Sequence, residues 1–327
     1  MDPIKTKLEL DMQNCIQKMQ EEALDENAKT GYKTSFACIN KNLEDIRPYM
    51  YLCAGTSNTG KTTVAQKFAL DIAELNDCYV KYYSLDDDRG MIINRFLAMK
   101  FRMPINSIRY PLKYFKDQKE MLDKWYKAYN WIQSISNRLC VADINTLGSQ
   151  DINYIVKDIE DTLEQVKIIS DREEKQIGLT VIIDNFHDIG SKSGRSSDNE
   201  NQRYQDCILK LNEVNTRYQI PIIMTGELKK SNKIGRPKLD DIRESVVTQF
   251  KTDCIMLAYN EVGMGFHSPS VYFERSGFKT PQPVISLDFR KNKTSSYKGT
   301  MFFKFFTEQS RIEECTEQEC QNFILNM

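Results

Sequence analysis

Residues 55–62 read Gly55-Thr56-Ser57-Asn58-Thr59-Gly60-Lys61-Thr62. The apolar run Met50-Tyr51-Leu52-Cys53-Ala54 precedes them, and the helix-like Val64-Ala65-Gln66-Lys67-Phe68-Ala69 follows. Strand, glycine loop and helix in that order are the context a phosphate-binding loop requires. The loop's backbone N–H groups gather at a helix N-terminus, where the peptide dipoles favour an anion. Lys61 is then the cation for the β- and γ-phosphates, and the Thr62 hydroxyl is a ligand for Mg²⁺. Gly55 through Thr62, with Thr63 beside them, are the candidate contacts to a nucleoside triphosphate. A loop of this pattern that binds nothing is the plainer alternative, and both flanks argue against it.

At 327 residues the chain has the length of one large α/β domain or two small ones. Its composition, 40% hydrophobic and 28% charged, is that of a globular protein. No run approaches the roughly 18 apolar residues of a membrane span, and Met1-Asp2-Pro3-Ile4-Lys5 has no apolar leader segment. A cytoplasmic protein without a membrane partner is expected. The nine cysteines are scattered, with no C-x-x-C pair and no histidine near Cys315 and Cys320, so reduced core thiols are expected rather than zinc or disulfides.

A formal net charge of −1 gives no global attraction to nucleic acid, so any polyanion site must be local. Three basic runs qualify: Lys192-Ser193-Gly194-Arg195, the segment from Lys229 and Lys230 through Lys233 and Arg236 to Lys238, and Arg290-Lys291-Asn292-Lys293 with Lys298. For any one run, a solvated loop is the plainer reading.

Residues 4–27 carry a narrow apolar stripe, Ile4, Leu8, Leu10, Met12, Ile16, Met19 and Leu24, which predicts a helix docked either on its own domain or on a neighbouring copy. From Met50 onward the chain alternates strands and helices as βαβ units do. Strands are predicted at 50–54, 79–85, 138–142, 179–184 and 221–225, with helices near 61–76, 89–101, 116–135, 150–170 and 200–218. Their unalternating apolar runs predict strands buried on both faces of a mainly parallel sheet. After residue 250, strands at 254–259, 271–275, 283–290 and 299–306 are joined by short connections, the last two forming an antiparallel hairpin at a sheet edge. The predicted partition is a helical extension at 1–30, one α/β domain at 31–310 and a tail at 311–327.

Hydrolysis of a bound triphosphate needs a metal partner and a group that positions water. Asp184 ends the apolar run Val181-Ile182-Ile183 and supplies the carboxylate expected beside the loop to hold Mg²⁺. Residue 185 is Asn, so no second acid stands next to it. Asp86, Asp87 and Asp88 follow another strand and offer either a catalytic carboxylate or acids decorating a helix N-terminus. Glu227 follows the strand Ile222-Ile223-Met224-Thr225 and points either at the γ-phosphate or into solvent. His187 and His267, the only histidines, sit in no ligand cluster and are read as structural or surface residues.

The order of these pieces resembles the C-terminal motor domain of the DnaB-type replicative helicases, RecA-like ATPases that assemble as hexameric rings. The resemblance rests on Gly31-Tyr32-Lys33, the phosphate loop, Tyr82-Tyr83-Ser84-Leu85-Asp86, Ile182-Ile183-Asp184-Asn185-Phe186 and Ile220 through Leu228. Most specific is the run Arg236-Pro237-Lys238-Leu239-Asp240-Asp241-Ile242-Arg243-Glu244-Ser245, followed by Thr252-Asp253-Cys254-Ile255. It implies an α/β fold with a RecA-like P-loop core, a mainly parallel central sheet, a C-terminal antiparallel hairpin and a linker-like N-terminal helix. It further implies ATP and Mg²⁺ as cofactors, Asp86 in the place of the catalytic glutamate, Glu227 in that of a γ-phosphate-sensing glutamine, and Arg290 as the finger offered to a neighbouring subunit. The partners it implies are single-stranded DNA held by the loops 186–200 and 229–246, further copies of the chain in a ring, and a loader or primase-like companion.

Three positions depart from that pattern. Asp86 is one methylene shorter than glutamate, Glu227 puts a charge where the family has an amide, and Asp288-Phe289-Arg290 replaces a Lys-x-Arg. These departures favour an alternative, an ATP-dependent assembly or switch protein of a phage or mobile element that keeps the fold without unwinding.

Overall fold

The computed structural model describes residues 7–24, 31–190, 200–229, 235–242 and 246–327. In chain order the elements are α1 (Lys7–Leu24), α2 (Ala37–Leu43), β1 (Met50–Gly55), α3 (Lys61–Leu75), β2 (Cys78–Ser84), α4 (Arg89–Phe101), α5 (Ile105–Arg109), α6 (Pro111–Phe115) and α7 (Lys119–Ser134). There follow β3 (Leu139–Asp143), α8 (Ile144–Leu147), α9 (Ile152–Glu173), β4 (Gly178–Asp184), α10 (Glu200–Tyr218), β5 (Ile222–Glu227), α11 (Val246–Lys251), β6 (Cys254–Tyr259), β7 (Tyr272–Phe273), β8 (Gln282–Asn292), β9 (Thr300–Phe306), β10 (Arg311–Glu314) and α12 (Glu317–Asn326).

The strands form one sheet in the order β10-β9-β8-β6-β1-β5-β4-β2-β3, with β7 paired to β8. Strands β1 to β6 are parallel, while β8, β9 and β10 continue the sheet antiparallel. The parallel strands are largely apolar because both faces are covered. Tyr51 and Cys53 of β1, Val80 and Tyr82 of β2 and Ile182 of β4 enter one core with Val64, Phe68 and Ile72 of α3 and Phe96 of α4. Leu52, Ala54, Tyr83, Val181 and Ile183 face the other way, among Ile155 and Ile159 of α9 and Ile208 and Leu211 of α10. The tips of β1, β4 and β5 thereby lie side by side at the carboxyl end of the sheet, where ligands of such folds bind.

The hairpin β8–β9 is not the sheet edge, as the sequence suggested, because β10 pairs with β9 beyond it. Ile312 is buried while the flanking Glu313 and Glu314 stay partly exposed, a polar strand suited to an edge. The stretch 311–327, expected as a tail, also contains α12, whose Phe323 packs with Phe302 and Val284. Along α1, Leu10, Met12, Ile16, Met19 and Leu24 all stand exposed. These residues of its apolar stripe are thus left uncovered by the chain that carries them.

Candidate functional site: the phosphate loop and the strand tips around it

Gly60 precedes α3 at φ 92° and no side chain caps the helix, while the first backbone bond of α3 runs from Val64 N to Gly60 O at 3.0 Å. The N–H groups of Lys61, Thr62 and Thr63 are therefore open at the N-terminus of a 15-residue helix, a ready anion site. Inside the loop, Lys61 Nζ and Thr59 Oγ1 each donate to Thr56 O at 2.8 Å, which folds the chain into a cradle. The buried Thr56 hydroxyl finds no partner among the described residues. Ser57 and Asn58 form the exposed tip, and Thr63 turns its hydroxyl inward to Ser310, 3.2 Å away, leaving only its N–H for a ligand.

Gly60 has no substitute here. A Cβ at this position would sit 2.2 Å from Cδ1 of the fully buried Ile285, and the backbone already occupies the left-handed region. Gly60→Ala is expected to lower unfolding stability by about 1–3 kcal/mol from the backbone alone, read as the shift of a denaturant midpoint; an unshifted midpoint would contradict this account.

Asp184 closes the site on the opposite side. Its carboxylate is buried and accepts from three hydroxyls, Thr62 (3.2 Å), Tyr82 (2.7 Å) and Thr225. Burial raises its pKa, and the bonds from Thr225, Tyr82 and Thr62 offset only part of that. A buried carboxylate served by neutral hydroxyls, one of them Thr62 at the phosphate cradle, fits a divalent cation. No cluster of three acidic, histidine or cysteine ligands exists among the described residues. That suits Mg²⁺, which takes few protein ligands and completes its shell with phosphate oxygens and water. Thr62 and Asp184 are the residues that would hold it.

The three aspartates after β2 take three separate roles. Asp88 caps α4 by accepting from Met91 N at 3.0 Å, and Asp87 pairs with Arg95 at 2.5 Å. Asp86 is exposed and neither caps a helix nor pairs with a cation among the described residues, and its charge is felt by both Lys61 and Asp188. Glu227 ends β5 directly across from Gly55, half-buried, and it too lies close enough to Lys61 to bear on its charge. Burial lowers the Lys61 pKa, while Glu227, Asp184 and Asp86 work in the opposite direction.

Arg290 stands near the end of β8, with its side chain 45% exposed and its guanidinium paired with Asp288 of the same chain. Of the basic residues predicted to hold nucleic acid, Lys192, Arg195, Lys230 and Lys233 lie outside the described residues. Lys229 is exposed and donates to Asp240 O at 2.9 Å, and Lys238 is exposed. Arg236 is packed instead: it donates to Ser286 Oγ at 3.1 Å and lies over the Tyr259 ring at 5.1 Å. The third basic run is largely engaged by its own fold, since Lys291 binds the carbonyls of Gln249 and Phe250 at the end of α11 and Lys293 pairs with Asp253.

Tyr82, Thr225 and His187 were not legible as site residues. Tyr82 and Thr225 reach Asp184 only because β2 and β5 flank β4, and His187 Nδ1 accepts the backbone N–H of Glu227 at 2.9 Å across two strand tips. An alternating tyrosine in a buried strand and a histidine three residues past Asp184 were the only signals.

Known proteins with this arrangement can be compared directly. A solved ATPase domain superposes with a TM-score of 0.74 at 19% identity, covering 94% of this chain and 99% of that one. A DnaB-like replicative helicase solved in a study of its interactions with primase gives 0.71 at 19% identity, covering 96% of this chain and 68% of that one. The replicative DNA helicase DnaC of Bacillus subtilis (strain 168) is 22% identical over 236 residues, 71% of this chain and 48% of its own length. The replicative DNA helicase DnaB of Buchnera aphidicola subsp. Schizaphis graminum is 24% identical over 262 residues, 78% of this chain and 50% of its own length. This chain thus spans about half the length of these curated relatives. Residues 31–311 match the DnaB-like helicase C terminal domain family, and the chain belongs to that family.

Proposed function

We propose that this chain is an ATP-hydrolysing, ring-forming DNA motor of the replicative helicase type. The observation that carries the reading is the direct link between the uncapped N-terminus of α3 and the buried carboxylate of Asp184 through Thr62. In this reading Gly55 to Thr63 bind the phosphates of ATP, Thr62 and Asp184 serve Mg²⁺, and Lys61 neutralises charge on the transferring phosphoryl group. Asp86, the one member of its triplet without a structural duty among the described residues, orients the attacking water. Glu227 faces the γ-phosphate from the tip of β5. Mg²⁺ held there would neutralise negative charge on the triphosphate.

Arg290 is proposed to complete the site of the next subunit, and the uncovered stripe of α1 to dock on that neighbour. Single-stranded DNA is proposed to run past the loops 186–200 and 229–246, with Lys192, Arg195, Lys229, Lys230, Lys233 and Lys238 against phosphate. Arg236 is assigned to packing that loop's base. A loader or primase-like companion is a further proposed partner.

The pairing of Asp288 with Arg290 favours a second reading, an ATP-dependent assembly or switch protein with little unwinding, because it neutralises the finger within its own chain. ATP turnover with and without single-stranded DNA tests the motor, and strand displacement on a forked duplex separates the two. The motor requires turnover that rises with DNA together with unwinding. Turnover indifferent to DNA would sink it, and stimulated turnover without displacement would leave the switch.

A further inference from the structure

His187 has a place in the site that neither its position in the sequence nor the metal and phosphate contacts assign. Its ring is buried in the 3₁₀ turn Phe186–Asp188 that follows β4. A backbone amide can only donate, so the 2.9 Å bond from Glu227 N–H makes Nδ1 the acceptor and places the ring proton on Nε2. The Asn185 side-chain oxygen accepts the His187 backbone N–H at 3.2 Å and, in this tautomer, makes no bond with Nδ1, since both atoms are acceptors. Gly226 allows the approach, since a Cβ there would stand 3.2 Å from His187 Cε1.

The other side of the ring meets helix α10. Tyr204 packs edge-on against it at 5.2 Å, and Arg203 donates both to His187 O at 3.3 Å and to the Tyr204 hydroxyl at 2.6 Å. One imidazole thus joins the tip of β4, the backbone of Glu227 and the first turn of α10.

We propose that His187 is a positioning residue for the γ-phosphate end of the nucleotide site, fixing the backbone of Glu227 through Nδ1 and referring that setting to α10 through Tyr204. This rests on the reading of residues 55–62 as a triphosphate site. Losing the acceptor removes this bond from the Glu227 N–H in a half-buried position, so the strand tip that carries the carboxylate is set less firmly against the γ-phosphate. ADP, which has no γ-phosphate, is indifferent to this.

The test compares His187→Phe, which keeps the ring against Tyr204 without the acceptor, with His187→Gln, which returns an amide oxygen. Mg²⁺-ATP and Mg²⁺-ADP affinities and steady-state turnover are measured on the full chain, with thermal melting as the control for folding. H187F is expected to change the ratio of ATP to ADP affinity by about threefold to tenfold, the worth of one hydrogen bond, and to lower kcat, with ADP affinity unmoved. H187Q restores both. Should H187F fail to fold, Gly226→Ala, whose Cβ would press on His187 Cε1 at 3.2 Å as well as on Leu52 Cδ1 at 3.0 Å, is expected to shift the same ratio. A wild-type ratio in a folded H187F, or a Gln variant that behaves as Phe does, overturns the role of His187. Wild-type protein that binds neither nucleotide would instead overturn the triphosphate-site reading.

Discussion

Lys61→Ala is expected to abolish ATP turnover, by roughly 10³-fold or more, equivalent to about 4 kcal/mol of transition-state stabilisation. The size follows from the local charge balance. Asp184, Glu227 and Asp86 all bear on the Lys61 ammonium, so its removal leaves carboxylates facing a polyanion without a fixed cation. Its 2.8 Å bond to Thr56 O keeps the side chain folded over the cradle, ready to meet phosphate oxygens in place of the carbonyl. Because the helix N–H groups remain, the variant should lose turnover by more than it loses ADP binding. Burial lowers the Lys61 pKa, and the charged form is the one required. In the free protein kcat/KM must therefore fall on the alkaline side at a pH below the ordinary lysine range, as the ammonium loses its proton. Measurable turnover in a folded Lys61→Ala protein, near the wild-type rate, would remove the loop from the reaction.

The core of the fold could be read from the chain because its strands are covered on both faces. Val181-Ile182-Ile183 and Ile222-Ile223-Met224 have no polar alternation to confuse with a surface strand, and Asp184 and Thr225 punctuate them. The first strand was legible for the added reason that a glycine loop ends it. What escaped was decided by pairing across distance. Arg311-Ile312-Glu313-Glu314 has a single core residue and becomes a strand only because Phe303 to Phe306 of β9 lie beside it. Residues 102–118 hold two short helices, α5 and α6, interrupted at Tyr110 and begun at Pro104 and Pro111, too short to show a period. At the site, the motif residues were legible one by one, whereas their partners were not. Residue type and position after the strand offer Asp86, Asp87 and Asp88 alike, with only the family resemblance favouring Asp86, whereas in the fold Arg95 and the first turn of α4 engage Asp87 and Asp88.

The same logic limits the basic runs. Charge along the chain cannot tell a lysine that meets phosphate from one that closes its own helix. Lys291 closes the end of α11, Lys293 pairs with Asp253 just beyond it, and Arg236 packs on Tyr259 and Ser286. Arg290 is the exposed member of its run whose ion partner, Asp288, lies two residues away on the same strand. If Arg290 serves as the proposed finger, it must give up this intrachain carboxylate to reach a neighbour's triphosphate, a competition that is the physical content of the switch reading.

Asp184→Asn is expected to lower turnover by about 10²- to 10³-fold, the scale of one lost electrostatic contact at a transferring group, while making the nucleotide-free protein melt at a higher temperature. The opposite signs share one cause. The carboxylate is buried among the hydroxyls of Thr62, Tyr82 and Thr225, and burial lifts its pKa above the usual carboxylate range despite them. A carboxyl whose folded-state pKa is raised adds stability that is fully present below its unfolded value and is lost as pH rises through the folded one. At neutral pH, above its unfolded value, Asp184 therefore costs stability that an amide does not. Asparagine fits the same partners, because each hydroxyl can accept as well as donate. The two proteins should converge in melting temperature as pH drops below the ordinary carboxylate range. Mg²⁺ with ATP reverses their order at neutral pH, since only the wild type gains the full binding energy of the metal-nucleotide pair. Melting curves with and without Mg²⁺-ATP read both effects. An asparagine variant that melts lower without nucleotide would show that the carboxylate's bonds outweigh its burial. Equal stabilisation of both proteins by Mg²⁺-ATP would mean that Asp184 does not serve the metal.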